Sequence, residues 1–330
     1  MGTRFEIVAE GDDQTNLRAA CEAALAEIEE WDARLTLFRP SSFLCYINTH
    51  AAARPVQLDD DLFELFAESL AVHHASQGAF DITLAPLMRA WGFHKQTGAV
   101  PRDIDSRGCI SAGASDDTSR SSPASSGDLP RGMSDLELDA DRRTIRFRRE
   151  GMALDLGGIA KGHALDLAAS ILRESGVRCA LLHGGTSTVI GINADRTGLG
   201  EDHWPVGLGV EQPGITIKLR DAAMSVSAPH GRTIEMDGTR RGHIIDPRAG
   251  APVRRTRLAV VIAPSARLAD AWSTALIVLG QRPPDMPDSL TTLIARETED
   301  AMDWRVEGAE PELFSLKPLC GIVESEEEYD

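Results

Sequence analysis

Helical and strand-like patterns are segregated along this chain. Apolar residues recur at helical spacing through much of the first half, whereas short strand-like runs dominate beyond Thr144. One long helix interrupts the second half, from Gly158 to about Ser175. Regular alternation of strand and helix is absent, as is a G-x-G-x-x-G turn, so a doubly wound dinucleotide-binding fold is disfavoured. The order of the patterns instead predicts an α+β fold.

Individual elements follow from the spacing of apolar residues. Residues 3–9 alternate polar and apolar side chains, as an edge or half-buried strand does. Residues 17–31 carry an apolar helical stripe, and a second helix begins near residues 59–61 and stops at Gly78. Asp237-Gly238 is typical of a hairpin turn.

Composition limits the classes of partner. The 330 residues include 51 acidic and 34 basic side chains, which argues against nucleic acid and anionic membranes as partners. The five cysteines are scattered and form no C-x-x-C pair, so a disulfide framework or a thiolate zinc site is disfavoured. We expect no transmembrane segment and a cytoplasmic location, or export or membrane anchoring if the true start lies upstream.

The chain divides into a main domain and two atypical segments. Residues 94–135 are rich in Ser, Asp, Gly, Arg and Pro, which predicts a flexible surface insertion within a domain spanning residues 1–283. Residues 284–330 form a C-terminal extension with two short apolar runs and an acidic tail.

Asp270 and Thr274 lie four residues apart on a predicted helix, which places both side chains on one helical face. A carboxylate with a hydroxyl suits Mg²⁺, a cation that prefers oxygen ligands and retains water. The same pair is also common by chance, so the metal interpretation depends on the rest of the sequence.

Three further segments are candidates for chemistry. Residues 155–164 form a glycine-rich turn that opens a helix and carries Lys161, an arrangement suited to a phosphate or simply to a tight turn. His243 follows a glycine and is a candidate general base, although a lone histidine is more often structural. Residues 78–93 contain Phe80 and Trp91, which either stack on a planar ring or are buried.

These segments resemble, in their order, the motifs of the ApbE family of FAD:protein FMN transferases. The resemblance covers roughly residues 1–280 apart from the insertion, and each motif alone is weak. The motifs are Met1-Gly2-Thr3, Gly78-Ala79-Phe80-Asp81 with Trp91-Gly92-Phe93, the turn at residues 155–164, the His243 to Pro247 segment, and the Ala269 to Thr274 helix.

The resemblance implies a T-fold-related α+β architecture with two lobes around an FAD cleft. It implies Mg²⁺-dependent transfer of FMN from FAD to a Thr or Ser hydroxyl of an acceptor flavoprotein, through a phosphoester bond and with release of AMP. FAD is then a substrate, and the acceptor flavoprotein is the protein partner.

The resemblance also assigns roles to individual residues. His243 and Asp270 are the expected catalytic residues. The expected metal site comprises the Ala160 carbonyl, Asp270, Thr274 and the nearby Ser273. The expected FAD contacts are Met1, Phe38, Ala79, Phe80, Asp81, Gly157, Lys161, His163 and Ile244. Phe38 and His163 stand where the family commonly has tyrosine.

Two other functions stay open from the sequence. One is a Mg²⁺-dependent FAD pyrophosphatase that gives FMN and AMP, in which water replaces the protein hydroxyl. The other is a non-catalytic FAD-binding protein, against which the combination of Asp270, Thr274 and His243 argues.

Overall fold

The helices and strands of the protein are taken from a computed structural model that describes residues 3–93, 132–193, 203–208, 215–229, 233–236, 239–298 and 302–316. The α-helices in these ranges are α1 (Gln14–Leu35), α2 (Phe43–His50), α3 (Asp60–Ala75), α4 (Ala85–Ala90), α5 (Ala160–Glu174) and α6 (Ala266–Leu279). The strands in these ranges are β1 (Phe5–Glu10), β2 (Val56–Gln57), β3 (Leu136–Asp139), β4 (Thr144–Phe147), β5 (Cys179–Gly184), β6 (Thr188–Asn193), β7 (Trp204–Gly207), β8 (Ile215–Leu219), β9 (Ala222–Ser227), β10 (Thr233–Met236), β11 (Thr239–Gly242), β12 (Ile245–Asp246), β13 (Ala251–Pro252), β14 (Thr256–Ala263), β15 (Thr291–Glu297), β16 (Met302–Glu307) and β17 (Phe314–Leu316).

A seven-stranded sheet organises the fold, in the order β1-β5-β6-β9-β14-β15-β16. Every neighbouring pair in it is antiparallel. The edge strand β1 pairs with β5, with Phe5 opposite Gly184 and Glu10 opposite Cys179. This confirms the strand predicted near the N-terminus and the α+β class, and it explains why no βαβ pattern exists in the sequence.

Both faces of the sheet are covered, and β14 shows this most clearly. Ala259, Val261 and Ala263 belong to the larger core, which contains the helices. The alternate residues Leu258, Val260 and Ile262 belong to a second core, shared with the small sheet β17-β8-β7. Because side chains alternate across a strand, a central strand covered on both faces is apolar nearly throughout.

Two features fix α6 against α5. A Cβ added to Gly162 of α5 would lie 2.2 Å from the Ala266 carbonyl oxygen of α6, so only glycine permits this approach. Asp166 of α5 accepts hydrogen bonds from the backbone N–H groups of Ala266, at 2.7 Å, and Arg267, at 2.9 Å. Two N–H groups that the first turn of α6 leaves without helical partners are therefore bonded to α5.

The structure confirms the main predicted helices. The helical stripes become α1 and α3, the glycine turn opens α5, and the Asp270 segment lies in α6. The strands on either side of Asp237-Gly238 pair as an antiparallel hairpin, while the turn itself lies outside the described residues. No helix in the described part of the chain is long and apolar enough to cross a membrane.

The two segments expected to be atypical are described only in part. Residues 94–131 of the predicted insertion lie outside the described residues, and Met133–Asp135 form a 3₁₀ turn before β3. After residue 283, β15 pairs with β14 and β16, so this part of the predicted extension belongs to the main sheet. The acidic tail lies outside the described residues.

Candidate active site

The first turn of α5, the middle of α6 and strand β9 meet at the carboxylate of Asp270. Lys161 Nζ lies 3.1 Å from Oδ1 and 3.2 Å from Oδ2 of this carboxylate. The backbone N–H of Gly162 donates to Oδ2 at 3.2 Å, and the Ser225 hydroxyl donates to Oδ1 at 3.2 Å. Asp270 is only 3% exposed. These donors compensate the burial of its charge, which would otherwise be costly.

Hydroxyl groups extend this cluster along the sheet. Ser225 Oγ lies 3.2 Å from Thr188 Oγ1 of β6 and 3.3 Å from Ser273 Oγ of α6. Ser273 Oγ also lies 2.9 Å from Ser227 Oγ, two residues further along β9. The Ser273 hydroxyl therefore bonds to β9 and is joined to Asp270 through Ser225, and its part in the metal site stays a prediction.

Thr274 lies one helical turn beyond Asp270, as its spacing predicts. Its hydroxyl donates to the Asp270 carbonyl at 3.0 Å. A Cβ added to Gly158 would lie 2.9 Å from Thr274 Oγ1 and 3.4 Å from the Phe80 ring. The glycine turn therefore leaves the space between this hydroxyl and Phe80 clear of side chain.

The segment that carries Phe80 is supported from α3. His73 Nδ1 lies 2.7 Å from the Phe80 carbonyl oxygen, and the Phe80 N–H donates to Ser76 Oγ at 3.1 Å. Ala79 and Phe80 are both buried. Asp81 is half-buried, and its Oδ1 accepts bonds from the Thr83 N–H and hydroxyl, each at 2.6 Å.

His243 is half-buried and lies between β11 and β12. The preceding Gly242 packs on the chain that continues β9, because a Cβ there would lie 2.3 Å from the Pro229 carbonyl oxygen. The Trp91 indole N–H donates to the Gly250 carbonyl at 3.0 Å and joins the Phe80 segment to the His243 segment. Trp91 is thus a buried packing residue, one of the two interpretations left open by the sequence.

The turn after His243 is held by an ion pair. Arg248 contacts both carboxylate oxygens of Asp246, at 3.0 and 2.9 Å. Burial alone would raise the pKa of Asp246, but the hydrogen bonds and charge of Arg248 outweigh it and lower that pKa. The Ile244 carbonyl accepts the Val253 N–H at 2.9 Å, which ties the same segment to β13.

His163, a predicted flavin contact, is buried against α1. Its ring is 2% exposed and meets the Trp31 ring edge-on, with 4.4 Å between ring centroids. Burial, and then the charges of Arg267 and Arg34, lower the pKa of His163 to about 3. The ring is thus a neutral packing group between α1 and α5, and its contact with flavin stays a prediction.

The other predicted FAD contacts differ in accessibility. Phe38 is 63% exposed in the connection between α1 and α2, so a planar ring can reach it. Gly157 is exposed, and its N–H donates to Asp155 Oδ1 at 2.9 Å. Ala160 is the first residue of α5, and Met1 lies outside the described residues.

Sequence reasoning missed Ser225, Ser227 and His73 as parts of this site. The two serines are spaced as neighbours on one face of a strand, which was the available signal. Their partners on α6 could not be identified from sequence, because that contact depends on how the helix packs on the sheet.

The side chains around Asp270 determine which metal the site can hold. Among the described residues, no group of three or more His, Cys, Asp or Glu side chains could bind one. What the structure offers is one buried carboxylate, the Thr274 hydroxyl and the start of α5 beside a glycine that leaves room. A site that supplies only a few protein oxygens and leaves space for water suits Mg²⁺, which commonly binds through one or two carboxylates and substrate phosphates. These residues fit that cation.

The chain is similar in sequence to known proteins of one family. A family model described as the ApbE family matches residues 1–290. The FAD:protein FMN transferase of Klebsiella pneumoniae (strain 342) is 26% identical over a match of 292 residues, and the match covers 85% of this chain and 77% of that protein. The FAD:protein FMN transferase of Escherichia coli (strain K12) is 25% identical over a match of 308 residues, and the match covers 90% of this chain and 80% of that protein.

Solved structures share the fold. The ApbE protein of Thermotoga maritima matches with a TM-score of 0.76 and 25% identity, over 96% of this chain and 97% of that one. The flavin transferase ApbE of Vibrio cholerae matches with a TM-score of 0.71 and 22% identity, over 93% and 94% of the two chains. At that identity the second comparison shows the fold alone.

Proposed function

Because this chain belongs to the ApbE family, we propose that it is a FAD:protein FMN transferase that moves FMN from FAD to a Thr or Ser hydroxyl of an acceptor flavoprotein. AMP leaves in the same reaction. The observation that carries the proposal is the Asp270 cluster, where a buried carboxylate and an ammonium group lie at the first turn of α5. A site that only binds FAD does not need the buried carboxylate.

The start of α5 is the proposed binding site for the FAD diphosphate. Backbone N–H groups at a helix N-terminus, together with the positive end of the helix dipole, favour an anion. Lys161 adds a positive charge at the same place. Phe38, Ala79, Phe80, Asp81, Gly157 and Ile244 are the proposed contacts for the rest of FAD.

Asp270, the Thr274 hydroxyl and the Ala160 carbonyl are the proposed ligands of Mg²⁺. The bound cation would neutralise charge that develops on the diphosphate oxygens as the P–O bond breaks. Ser225 and Gly162 orient the Asp270 carboxylate for this role, since each donates to one of its oxygens.

His243 is the proposed general base. The acceptor hydroxyl attacks the phosphorus of the FMN half of FAD while His243 takes the hydroxyl proton. The bond from that phosphorus to the bridging oxygen breaks, and this oxygen leaves with AMP. The packing of Gly242 against Pro229 and the hydrogen bond from Trp91 to Gly250 position the segment that carries His243.

The test is to incubate the purified protein with FAD, Mg²⁺ and a flavoprotein that carries a Thr/Ser flavinylation site, with EDTA as the control. We expect the acceptor mass to rise by one FMN, AMP to form, and both to be lost with EDTA. AMP without labelling of the acceptor would indicate a pyrophosphatase. If neither AMP nor labelled acceptor forms, the protein only binds FAD.

Variants assign the roles. We expect Asp270→Ala to lower the transfer rate by about 10²-fold or more, because charge on the diphosphate is no longer neutralised.

His243→Ala should lower the transfer rate by about 10²-fold or more through loss of the base. The exposed residues Asp288 and His74 supply the matched controls Asp288→Ala and His74→Ala, which should retain normal rates. Normal transfer by either site variant would remove that residue from the mechanism.

A further inference from the structure

Every hydrogen-bonding position of the Asp270 carboxylate is already used in this structure. Oδ1 contacts Lys161 and Ser225, and Oδ2 contacts Lys161 and Gly162. A carboxylate offers about four lone-pair sites, two on each oxygen. A cation that ligates Asp270 must therefore replace one of these partners.

Lys161 is the partner that can leave. The Gly162 N–H is part of the backbone of α5, and Ser225 lies in the middle of the sheet, bonded also to Thr188. The Lys161 ammonium is instead at the end of a flexible four-carbon chain, with its side chain 19% exposed. It is also the partner whose charge repels an incoming cation.

We propose that Asp270 exchanges the Lys161 ammonium for a divalent cation, so that Lys161 is released whenever the carboxylate acts as a metal ligand. This inference rests on the proposed function, because it uses the same metal ligand. In the metal-free protein Lys161 keeps the buried charge of Asp270 compensated and the site formed. After the exchange its ammonium is available beside the first turn of α5, where the FAD diphosphate is proposed to bind.

The exchange couples two binding events. An ammonium that contacts Asp270 is less available to an anion, and release by the cation removes that competition. Metal binding should therefore tighten FAD binding, and FAD should tighten metal binding by the same factor. In Lys161→Met this reciprocal gain should fall, since no ammonium is left to be released.

Equilibrium binding of Mn²⁺ to the full metal-free chain without FAD tests the competition, with free Mn²⁺ measured by its electron paramagnetic resonance signal. We expect Lys161→Met to bind Mn²⁺ about tenfold tighter than the wild type, because an ion-pair hydrogen bond no longer has to be broken. Lys218 is exposed on β8, so Lys218→Met is the control for the lost charge and should bind as the wild type does.

The outcomes separate this inference from the proposed function. If Asp270→Ala still binds Mn²⁺ normally, Asp270 is not a metal ligand and the metal site itself is wrong. If Asp270→Ala loses binding while Lys161→Met binds no tighter than wild type, the metal site stands and the exchange is refuted.

The rate at which Lys161 is acylated, measured by mass spectrometry, reports whether its ammonium group is released in the wild-type chain. We expect Mn²⁺ to raise the acylation rate of Lys161 at least about threefold and to leave that of Lys218 unchanged, because an ion-paired, partly buried amine reacts slowly. Asp270→Ala should show the fast rate with or without metal. A Lys161 rate that Mn²⁺ does not change, in protein shown to bind it, would overturn the exchange whatever the variant affinities.

Discussion

At the scale of single residues, the site depends on positions where a side chain would intrude. Gly158 lies against Thr274 and Phe80, and nothing but the lack of a Cβ keeps that space open. The hydrogen-bond donors around Asp270 come from two elements, α5 and β9, while Asp270 itself lies in α6. Small changes here should act on the chemistry before they act on the fold.

Replacement of Gly158 by Ala tests this. The added Cβ would lie 2.9 Å from Thr274 Oγ1, so the hydroxyl must move. We expect FMN transfer to fall by about tenfold or more, since displaced catalytic groups cost about this much, with the apparent Mg²⁺ requirement raised. The control is Gly207→Ala, where a Cβ meets no atom within 4 Å. Equal rates for the two variants would contradict the argument.

Residue types predicted the chemistry of the site better than its contacts. Asp270, Thr274 and the glycine turn were identified from their spacing together with the order of the other motifs, and the structure brings them together. The Lys161 contact with Asp270 spans most of the second half of the chain and had no local signal. Burial of His163 was equally invisible, because the packing of Trp31 against it joins distant helices.

At the scale of elements, the α5–α6 pair is the unit that forms the site, since it carries Lys161 and Asp270. Asp166 bonds to the first turn of α6 and is itself buried. Burial raises its pKa to about 6, although the hydrogen bonds from Arg267 and Ala266 act in the opposite direction. The contact between the two helices is therefore sensitive to pH.

The sign of this effect is set by the raised pKa. Between the ordinary value of 3.8 and about 6, the folded protein keeps the Asp166 proton that the unfolded chain has lost. The contribution of Asp166 to stability therefore falls as pH rises through this window and is constant above it. The quantity to follow is the difference in unfolding free energy between the wild type and Asp166→Asn. We expect this difference to fall by at most about 3 kcal/mol between pH 4 and pH 7.

Urea unfolding of both proteins across this range makes the measurement, with Asp288→Asn as an exposed control that should show no such trend. If the unfolding free energies of the wild type and Asp166→Asn change in parallel with pH, Asp166 does not titrate in this window.

Long elements were predictable and short ones were not. The helices α1, α3, α5 and α6 each carry enough turns for a recognisable apolar stripe. The helices α2 and α4 have eight and six residues, too few for a periodic signal, and they depend on packing and on the Ser42 cap of α2.

At the scale of the whole molecule, strands from the end of the described chain complete the main sheet. Leu293, Ile294 and Ala295 of β15 are buried on both faces, between β14 and β16. Since they cover β14, the fold does not end where the family match ends at residue 290.

Truncation tests this. A chain that ends at residue 290 loses β15, β16 and β17, exposes β14 as an edge and should not fold cooperatively. A chain that ends at residue 316 keeps every described strand and should give a cooperative thermal transition. Circular dichroism melting of both, beside the full chain, is the measurement. A cooperative transition for the shorter chain would show that β15 is dispensable.

The order of strands in the sheet was beyond sequence reasoning. Each strand has a local pattern, but the pairing of β1 with β5 is chosen by contacts across much of the chain. The same holds for β9 between β6 and β14, which brings Ser225 to Asp270.

The pairing of β1 with β5 has a consequence for synthesis on the ribosome. Phe5 leaves the ribosome long before Gly184, its partner in the sheet. At elongation rates of about 5–20 residues per second, the interval is on the order of ten seconds or more. During that time the nascent strand has no sheet to join, and Asp270 has yet to be made. The newborn chain therefore lacks the Asp270 cluster until well after β1 has emerged, and β1 stays without its sheet partner until β5 is made.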